Sequence, residues 1–276
     1  MDQLPMHIRD IEPFLKTEGE LTARIAGVPI SFSMRNRHER NYAAKLFVNV
    51  RYPQSDIDSE IFRFLIRDGD RVLDAGANIG FTALEMLEAG AKEIIAVEPV
   101  SELYGRLSEL ATPLIIPLNV ALADKQGEGN IAISVSHNQG SSIKDEMITM
   151  FPEVFGDVLK RESIRIETID TISHRYGESD VWKLDIEGAE VDALKGAAET
   201  LRSKPPRVVI AELYDTFFDD FKSEIIKTHP FAYRAFLEVH GAALALVPID
   251  EVFDAGKYEI TSPMYIFSRQ ELIEGV

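Results

Sequence analysis

The stretch that decides the fold is VLDAGANIGF, residues 72–81 of the 276-residue chain. A short apolar run ends in an acid, and a turn with two glycines then leads into Phe81–Ala89, whose apolar residues have helical spacing. Gly76 allows the backbone to approach a ligand closely, and Gly80 lets the start of the helix pack near the strand. Asn78 stands between them, and asparagine tolerates left-handed backbone better than most residues. The stretch therefore predicts a strand, a tight turn and a helix, with a ligand at the turn.

The spacing within this turn bears on the kind of ligand. Three residues separate Gly76 from Gly80, so the Gly-x-Gly-x-x-Gly pattern of dinucleotide-binding proteins is not met. Asp74 at the strand end would repel a pyrophosphate and suits a cationic or amino-bearing ligand such as S-adenosylmethionine. An NAD-dependent oxidoreductase is therefore disfavoured, although a glycine pair alone is also compatible with an ordinary turn.

Short apolar runs alternate with helical stretches on both sides of this turn. Such alternation predicts right-handed crossovers and a parallel sheet, whose ligands bind at the carboxyl ends of the strands. The predicted strands are 71–74, 93–98, 114–118, 181–184 and 208–213, and the helices between them are 81–89, 100–111 and 189–201. A helix over 218–239 and strands at 242–247 and 264–267 would complete a seven-stranded sheet.

Two segments interrupt this rhythm. Residues 123–168 are predicted to form an insertion over the active-site end, with a small hairpin over Gly127–Val135. Residues 1–60 are predicted to form an N-terminal appendage with a hairpin over Leu21–Met34 and the start of a helix at 58–66, serving as a lid or an oligomer contact. The basic cluster at 35–40 is interpreted as a solvated turn.

Polar residues follow the second and third strands of the predicted sheet. Glu98 ends the second strand, where an acid can hydrogen-bond both ribose hydroxyls of a nucleoside. Asn119 follows the third strand and could fix backbone or contact an adenine, and Val120 could pack on the ring. The pairing of Glu98 with Asp74 favours a nucleoside ligand over a simple helix cap.

Carboxylates also follow the fourth and fifth strands. In the run KLDIEGAE, residues 183–190, Asp185 stands where a base, a substrate anchor or a metal ligand would lie. Glu190 is expected to stabilise the dipole of the next helix, and the role of Glu187 stays open. Glu212 ends the fifth strand and is expected at the same rim of the sheet.

Taken together, the runs VLDAGANIGF, AVEP, NVALAD, TIDTI, WKLDIEGAEVDALKGA and VVIAEL resemble the FkbM family of methyltransferases in order and spacing across about residues 70–215. The resemblance implies a Rossmann-like class I methyltransferase fold over residues 61–276, an α/β fold whose mostly parallel seven-stranded sheet has helices on both faces. It implies S-adenosylmethionine as the donor and, most often, O-methylation of a small-molecule or sugar hydroxyl. The residues that would bind the donor are Asp74, Gly76, Ala77, Asn78, Gly80, Glu98, Pro99, Asn119, Val120 and Asp185. The residues that would line the acceptor side and take part in catalysis are Asp185, Glu187 and Glu212.

A hydroxyl acceptor needs a base to remove its proton or a metal to lower its pKa. Asp185 is the favoured base, and a Mg²⁺ ion held by Asp185 with Glu187 or Glu212 is the alternative. His137, in a polar loop, is a second candidate base. N-methylation and a non-catalytic nucleoside-binding or scaffold module also stay open, although the intact Asp74, Glu98 and Asp185 argue against lost activity.

Composition limits the partners. The chain has 46 acidic and 29 basic residues, a net charge of −17, which disfavours nucleic acid and anionic membranes as partners. It has no cysteine, so disulfides and thiolate metal sites are excluded. No apolar run is long enough to cross a membrane, and the start lacks a signal-peptide pattern. We therefore expect a cytoplasmic enzyme with a small-molecule acceptor, either monomeric or a homo-oligomer.

Overall fold

The computed structural model describes residues 6–110, 112–134, 140–150, 152, 159–239, 242–259, 261 and 263–273. The candidate base His137 lies outside these residues. The helices are α1 Ile8–Ile11, α2 Arg37–Val48, α3 Pro53–Leu65, α4 Phe81–Glu88, α5 Ser101–Ser108, α6 Asp145–Met150, α7 Ile169–Tyr176, α8 Glu190–Lys195, α9 Ala198–Ser203 and α10 Asp215–Ile225. The strands are β1 Glu20–Ile25, β2 Val28–Ser33, β3 Arg71–Ala75, β4 Glu93–Val97, β5 Ile115–Leu118, β6 Ala121–Leu122, β7 Gly127–Ser134, β8 Ser141–Ser142, β9 Leu159–Glu167, β10 Val181–Leu184, β11 Val208–Glu212, β12 Phe231–Glu238, β13 Leu244–Pro248, β14 Tyr258–Glu259 and β15 Met264–Ser268. Short 3₁₀ turns occur at Glu12–Phe14 and Ala255–Lys257.

Five parallel strands form the centre of the main sheet, in the order β5-β4-β3-β10-β11. Their short, continuously apolar runs are typical of strands buried on both faces. The chain builds outward from β3 to β5 and then returns to place β10 on the other side of β3. This reversal opens a crevice at the carboxyl ends of β3 and β10, where α/β sheets bind their ligands.

Among the described residues this sheet is mixed and has nine strands, so the prediction of a mostly parallel seven-stranded sheet is wrong in number and direction. Beyond β11, β15 runs antiparallel to it, β12 runs antiparallel to β15, and β13 and β14 both pair antiparallel with β12. The predicted helix over 218–239 is wrong in its second half. Its second half is β12: α10 ends at Ile225, Pro230 disfavours a return to helical backbone, and the residues that follow pair with β13 and β15.

Helices cover both faces of the sheet, as the resemblance implied. Side chains alternate across each strand, so Val72 joins one apolar cluster and Leu73 joins the other. The first cluster includes residues of α3, α4 and α5, and the second includes residues of α7, α8, α9 and α10. The predicted helix over 189–201 is divided into α8 and α9 at Gly196, where a Cβ atom would lie 2.2 Å from the carbonyl oxygen of Ala123.

The N-terminal segment packs onto the first face. The hairpin β1–β2 is confirmed, with its turn at Ala26-Gly27, both of which have positive φ. The basic cluster at 35–40 is not a free turn but leads into α2, which begins after Asn36, whose side chain accepts a hydrogen bond from the backbone N–H of Glu39. The predicted helix at 58–66 begins earlier, at Pro53, and its Ile57 and Ile61 share a core with Phe32 of the hairpin.

The segment between β5 and α7 contains a second sheet, in the order β6-β9-β7-β8. The small hairpin predicted over Gly127–Val135 is wrong, because Gly127–Ser134 is one strand that pairs antiparallel with Leu159–Glu167. The alternating apolar residues of β7 find their partner more than twenty residues away, which a local pattern does not reveal. Among the described helices, none combines the length and apolarity needed to span a bilayer.

Candidate active site

A cavity of about 230 Å³ lies at the carboxyl ends of the parallel strands. The turn after β3, the end of β4 and the loop after β10 form its floor. Three further segments enclose it: the N-terminal helices, the residues after β5 and the second sheet. Of the residues predicted from the sequence, those that line it are Gly76, Ala77, Asn78, Glu98, Pro99, Val120, Asp185, Glu187 and Glu212. Three predicted donor-binding residues, Asp74, Gly80 and Asn119, are not among the lining residues.

The turn after β3 is shaped by three residues with positive φ, Gly76 at 83°, Asn78 at 52° and Gly80 at 85°. The left-handed backbone expected at Asn78 is thus confirmed. A Cβ atom on Gly76 would lie 1.9 Å from the carbonyl oxygen of Asp185, so the loops after β3 and β10 meet only because residue 76 has no side chain. Gly80 packs against α5, where a Cβ would meet the side chains of Leu107 and Leu110, and not against the strand as expected.

Glu98 fastens this turn to the end of β4. Its carboxylate is 4% exposed and accepts hydrogen bonds from the backbone N–H groups of Asn78 and Val100, both at 2.9 Å. Burial raises the pKa of Glu98 to about 7, although these two bonds favour the ionised form. The amide of Asn119 donates to the carbonyl oxygens of Glu98 and Pro99 at 3.0 and 2.9 Å. Asn119 therefore fixes backbone, and Val120 faces the cavity beside it.

A buried lysine joins the acids of β3 and β10. Lys183 is 1% exposed, and its Nζ lies 3.0 Å from Oδ2 of Asp185 and 3.5 Å from Oδ1 of Asp74. Asp74 is fully buried, and its Oδ2 accepts from the Thr82 hydroxyl at 2.9 Å. Burial alone would lower the pKa of Lys183, but the two carboxylates raise it above its ordinary value. The sequence interpretation missed Lys183, and the available signal was a lysine inside the apolar strand VWKL.

The loop after β10 is held in a strained shape. Glu187 has a φ of 53°, its Oε2 accepts from the Tyr214 hydroxyl at 3.0 Å, and its carbonyl oxygen accepts from the Ser142 hydroxyl at 2.6 Å. Burial, with the charge of Asp185, raises the pKa of Glu187 to about 8. The carboxylate of Glu190 accepts hydrogen bonds from the backbone N–H groups of Ile186 and Gly188 at 2.9 and 3.1 Å. It therefore holds the loop by direct hydrogen bonds, whereas the sequence predicted that it would stabilise the dipole of the next helix.

The N-terminal helices supply one wall that the sequence did not predict. Asp58 of α3 lines the cavity, and burial raises its pKa to about 7. Tyr42 of α2 also lines it and stacks on Phe81, with ring centroids 4.2 Å apart. Nδ1 of His38 lies 2.8 Å from the hydroxyl of Tyr52, and both residues line the same wall. Glu212 also lines the cavity, and burial and the neighbouring carboxylates raise its pKa well above its ordinary value.

The magnesium site considered as the alternative to a base is not found in the described ranges. No three carboxylate or imidazole side chains among these residues are arranged to hold a metal ion. Asp185, Glu187 and Glu212 do line one cavity, but the cation nearest to Asp185 is the ammonium group of Lys183.

Comparison with known protein families shows which family the chain belongs to. A model of the FkbM methyltransferase domain matches residues 74–242, more than half of the chain. The chain belongs to the FkbM methyltransferase family. The predicted family is therefore confirmed, and so are methyltransferase activity and S-adenosylmethionine as the methyl donor. The match begins at the end of β3, so the wall built from α2 and α3 lies outside it.

Three of the solved structures that are similar to this FkbM methyltransferase share little of its sequence. A SAM-dependent methyltransferase from Agrobacterium tumefaciens is 10% identical, with 94% of this chain and 72% of that chain covered and a TM-score of 0.45. TYW2 of M. jannaschii, solved with AdoMet, is 11% identical, with 91% and 85% covered and a TM-score of 0.41. An rRNA methylase from Streptococcus thermophilus is 11% identical, with 79% and 98% covered and a TM-score of 0.37. Likenesses this weak carry no argument about fold or substrate, and no curated protein matches the chain significantly.

Proposed function

We propose that this FkbM methyltransferase transfers a methyl group from S-adenosylmethionine to a hydroxyl group of a small molecule. The observation that carries the proposal is the chemistry of the residues that line the one cavity, which we divide into two parts. The turn after β3, with Glu98 and Val120, is the part that suits a nucleoside, and Asp185, Glu187 and Glu212 are the part that suits an acceptor. A net charge of −17 favours a small acceptor over a nucleic acid.

The first part has the chemistry that a nucleoside donor requires. The backbone of Gly76, Ala77 and Asn78 would approach the donor, the Glu98 carboxylate would accept from its ribose hydroxyls, and Val120 would pack on the adenine. Asp74 would act from behind this surface, since it is fully buried and holds Lys183 in place. The donor supplies an activated methyl group, so the protein has mainly to align the two reactants at short range.

The second part would bind the acceptor and take its proton. Lys183 bonds Oδ2 of Asp185 and so fixes the side chain, which leaves Oδ1 for the acceptor hydroxyl. The proton passes to Asp185 as the carbon–oxygen bond forms and the carbon–sulfur bond breaks, with the bonding pair left on sulfur. Glu187 and Glu212, whose pKa values are raised by burial and by the neighbouring carboxylates, would form hydrogen bonds with the acceptor.

The test is methyl transfer from S-adenosylmethionine with a labelled methyl group to matched panels of hydroxyl and amine compounds. We expect hydroxyl compounds to gain the label, and activity to persist in a chelator such as EDTA. Labelling of amines alone would contradict O-methylation. Loss of activity in EDTA, restored by Mg²⁺, would contradict the metal-independent role of Asp185.

The variant Asp185→Asn tests the catalytic assignment. It keeps the shape but removes the proton acceptor, so we expect turnover to fall by roughly 10²–10⁴-fold, the usual contribution of acid–base catalysis. Donor affinity should stay near that of the wild type, as measured by calorimetry. Asp192→Asn is the matched control on α8, because Asp192 pairs with Lys144 outside the cavity. Parent turnover in Asp185→Asn would rule out Asp185 as the base.

A further inference from the structure

Four carboxylates face the part of the cavity assigned to the acceptor, and we call Asp58, Asp185, Glu187 and Glu212 the acidic wall. They come from three places in the chain: α3, the loop after β10 and the end of β11. Asp58 lies in the N-terminal segment, before the residues 74–242 that match the family model. Their charges interact, since Asp58, Asp185 and Glu187 all contribute to the raised pKa of Glu212.

The described part of the chain supplies fewer cationic and hydrogen-bond partners than the four carboxylates of the acidic wall would need. Lys183 is the one lysine or arginine among the described residues that line the cavity, and it already bonds Asp185. Glu187 accepts a hydrogen bond from Tyr214. The side chains of Asp58 and Glu212 have neither a hydrogen bond nor an ion pair with any described residue. Behind the cavity lining, Oδ1 of the fully buried Asp74 has no hydrogen-bond partner among the same residues and is balanced only by the ammonium group of Lys183, 3.5 Å away.

Buried negative charge of this kind needs a positive partner. Partly buried carboxylates resist ionisation unless a cation lies near them, which is why burial raises the pKa of Asp58 to about 7 and that of Glu187 to about 8. The ligands of a methyltransferase differ in this respect, because S-adenosylmethionine carries a sulfonium charge and its product, S-adenosylhomocysteine, carries a neutral sulfur.

We propose that the acidic wall distinguishes donor from product by charge, and that Asp58 is a specificity-determining residue for this choice. The inference rests on the proposed placement of donor and acceptor in the cavity. Before transfer the wall faces a cation. After transfer, once the acceptor proton has left Asp185 for solvent, the same carboxylates face a neutral sulfur and the attraction is lost. The cavity thereby favours entry of the donor and departure of the product.

Calorimetry at pH 8 with three ligands tests the proposal, the third being sinefungin, in which a protonated amine replaces the methyl sulfonium group. We expect the wild type to bind S-adenosylmethionine and sinefungin at least about tenfold more tightly than S-adenosylhomocysteine, a difference of about 1.4 kcal/mol. Asp58→Asn should weaken binding of both cationic ligands by about three- to tenfold and leave S-adenosylhomocysteine within about twofold. Glu212→Gln should act in the same direction.

Glu88→Gln is the matched control, since it removes one negative charge from an exposed position on α4 and should leave all three affinities unchanged. Binding of S-adenosylhomocysteine by each variant also reports that it is folded, and Glu212→Gln decides the matter if Asp58→Asn does not fold. Equal or tighter binding of S-adenosylhomocysteine by the wild type would overturn the proposal. So would an equal loss for charged and neutral ligands in both variants. If the wild type bound none of the three ligands, the proposed function itself would fail and the inference with it.

Discussion

At the scale of single residues, Glu98 holds the donor-side turn together before any ligand arrives. Its two carboxylate oxygens accept from the N–H groups of Asn78 and Val100. The same oxygens are the proposed acceptors for the ribose hydroxyls, so they would serve both the protein and its donor. A substitution at this position is therefore expected to affect binding through lost contacts and through a looser turn.

Glu98→Ala should weaken binding of S-adenosylmethionine by at least tenfold, because each hydrogen bond to a charged group contributes about 1.5–3 kcal/mol. Glu98→Gln, which keeps one acceptor oxygen, should fall between the wild type and Glu98→Ala. Turnover at saturating donor should largely survive in both. Calorimetry and initial-rate kinetics provide the measurements, and unchanged donor affinity with collapsed turnover would show that Glu98 has a different role.

The residues of the site could be predicted where they follow strands, and were missed where they come from elsewhere. Glu98, Asp185 and Glu212 were predicted because the ends of parallel strands can be recognised in the sequence, and ligands of such sheets bind at those ends. Asp58 was missed because its position depends on how α3 docks, which no local pattern encodes. Lys183 was quoted but given no role, because its two carboxylate partners become visible only when β3 and β10 are paired.

At the scale of elements, the close approach of two loops depends on Gly76. The loops after β3 and β10 form the two sides of the crevice, and the carbonyl oxygen of Asp185 occupies the space that a side chain at residue 76 would need. The geometry of the crevice is thus set by backbone as much as by the side chains that line it.

Gly76→Ala should lower the free energy of unfolding by about 2–5 kcal/mol, from the cost of left-handed backbone and of overpacking. Gly105→Ala is the matched control, because Gly105 lies within α5 and a Cβ atom added there would meet nothing within 4 Å. That control should be neutral or stabilising by up to about 1 kcal/mol. Urea denaturation followed by circular dichroism measures both, and equal stability of the two variants would contradict the crowding argument.

The elements show where sequence periodicity fails. The strands and helices over 71–118 were found within a few residues, because each has its own apolar run and a turn at its end. Residues 231–238 were mistaken for helix, since their dense apolar residues fit either period until their pairing with β13 and β15 is known. Helix α2 was missed because its charged start resembles a solvated turn and its partners lie in the hairpin and α1.

At the scale of the whole molecule, the excess of acids extends into the interior. Besides the net charge of −17, four buried or partly buried carboxyls have pKa values raised by burial, to about 7 for Asp58, Glu98 and Glu190 and about 8 for Glu187. Unfolding would return each to an ordinary value near 4. Between these values the folded state binds more protons than the unfolded state, so stability must fall as pH rises.

The ligand-free protein should therefore lose about 2–5 kcal/mol of unfolding free energy between pH 6 and pH 8.5. The loss should level off above the folded pKa values, where both states are ionised. Urea denaturation across this range is the measurement, and Glu190→Gln, which removes one of these groups, should give a shallower dependence. Stability that is flat or rises over the range would contradict the raised pKa values.

Calorimetric titration of the intact protein with S-adenosylmethionine, and separately with NAD, tests most directly whether the crevice between β3 and β10 is a methyl-donor site. We predict one donor site per chain with micromolar affinity, roughly −8 kcal/mol, displaced by S-adenosylhomocysteine and weakened by Glu98→Ala. NAD should show no saturable binding. Tight binding of NAD with no binding of S-adenosylmethionine would contradict the donor site, the proposed reaction and the roles assigned to the residues around it.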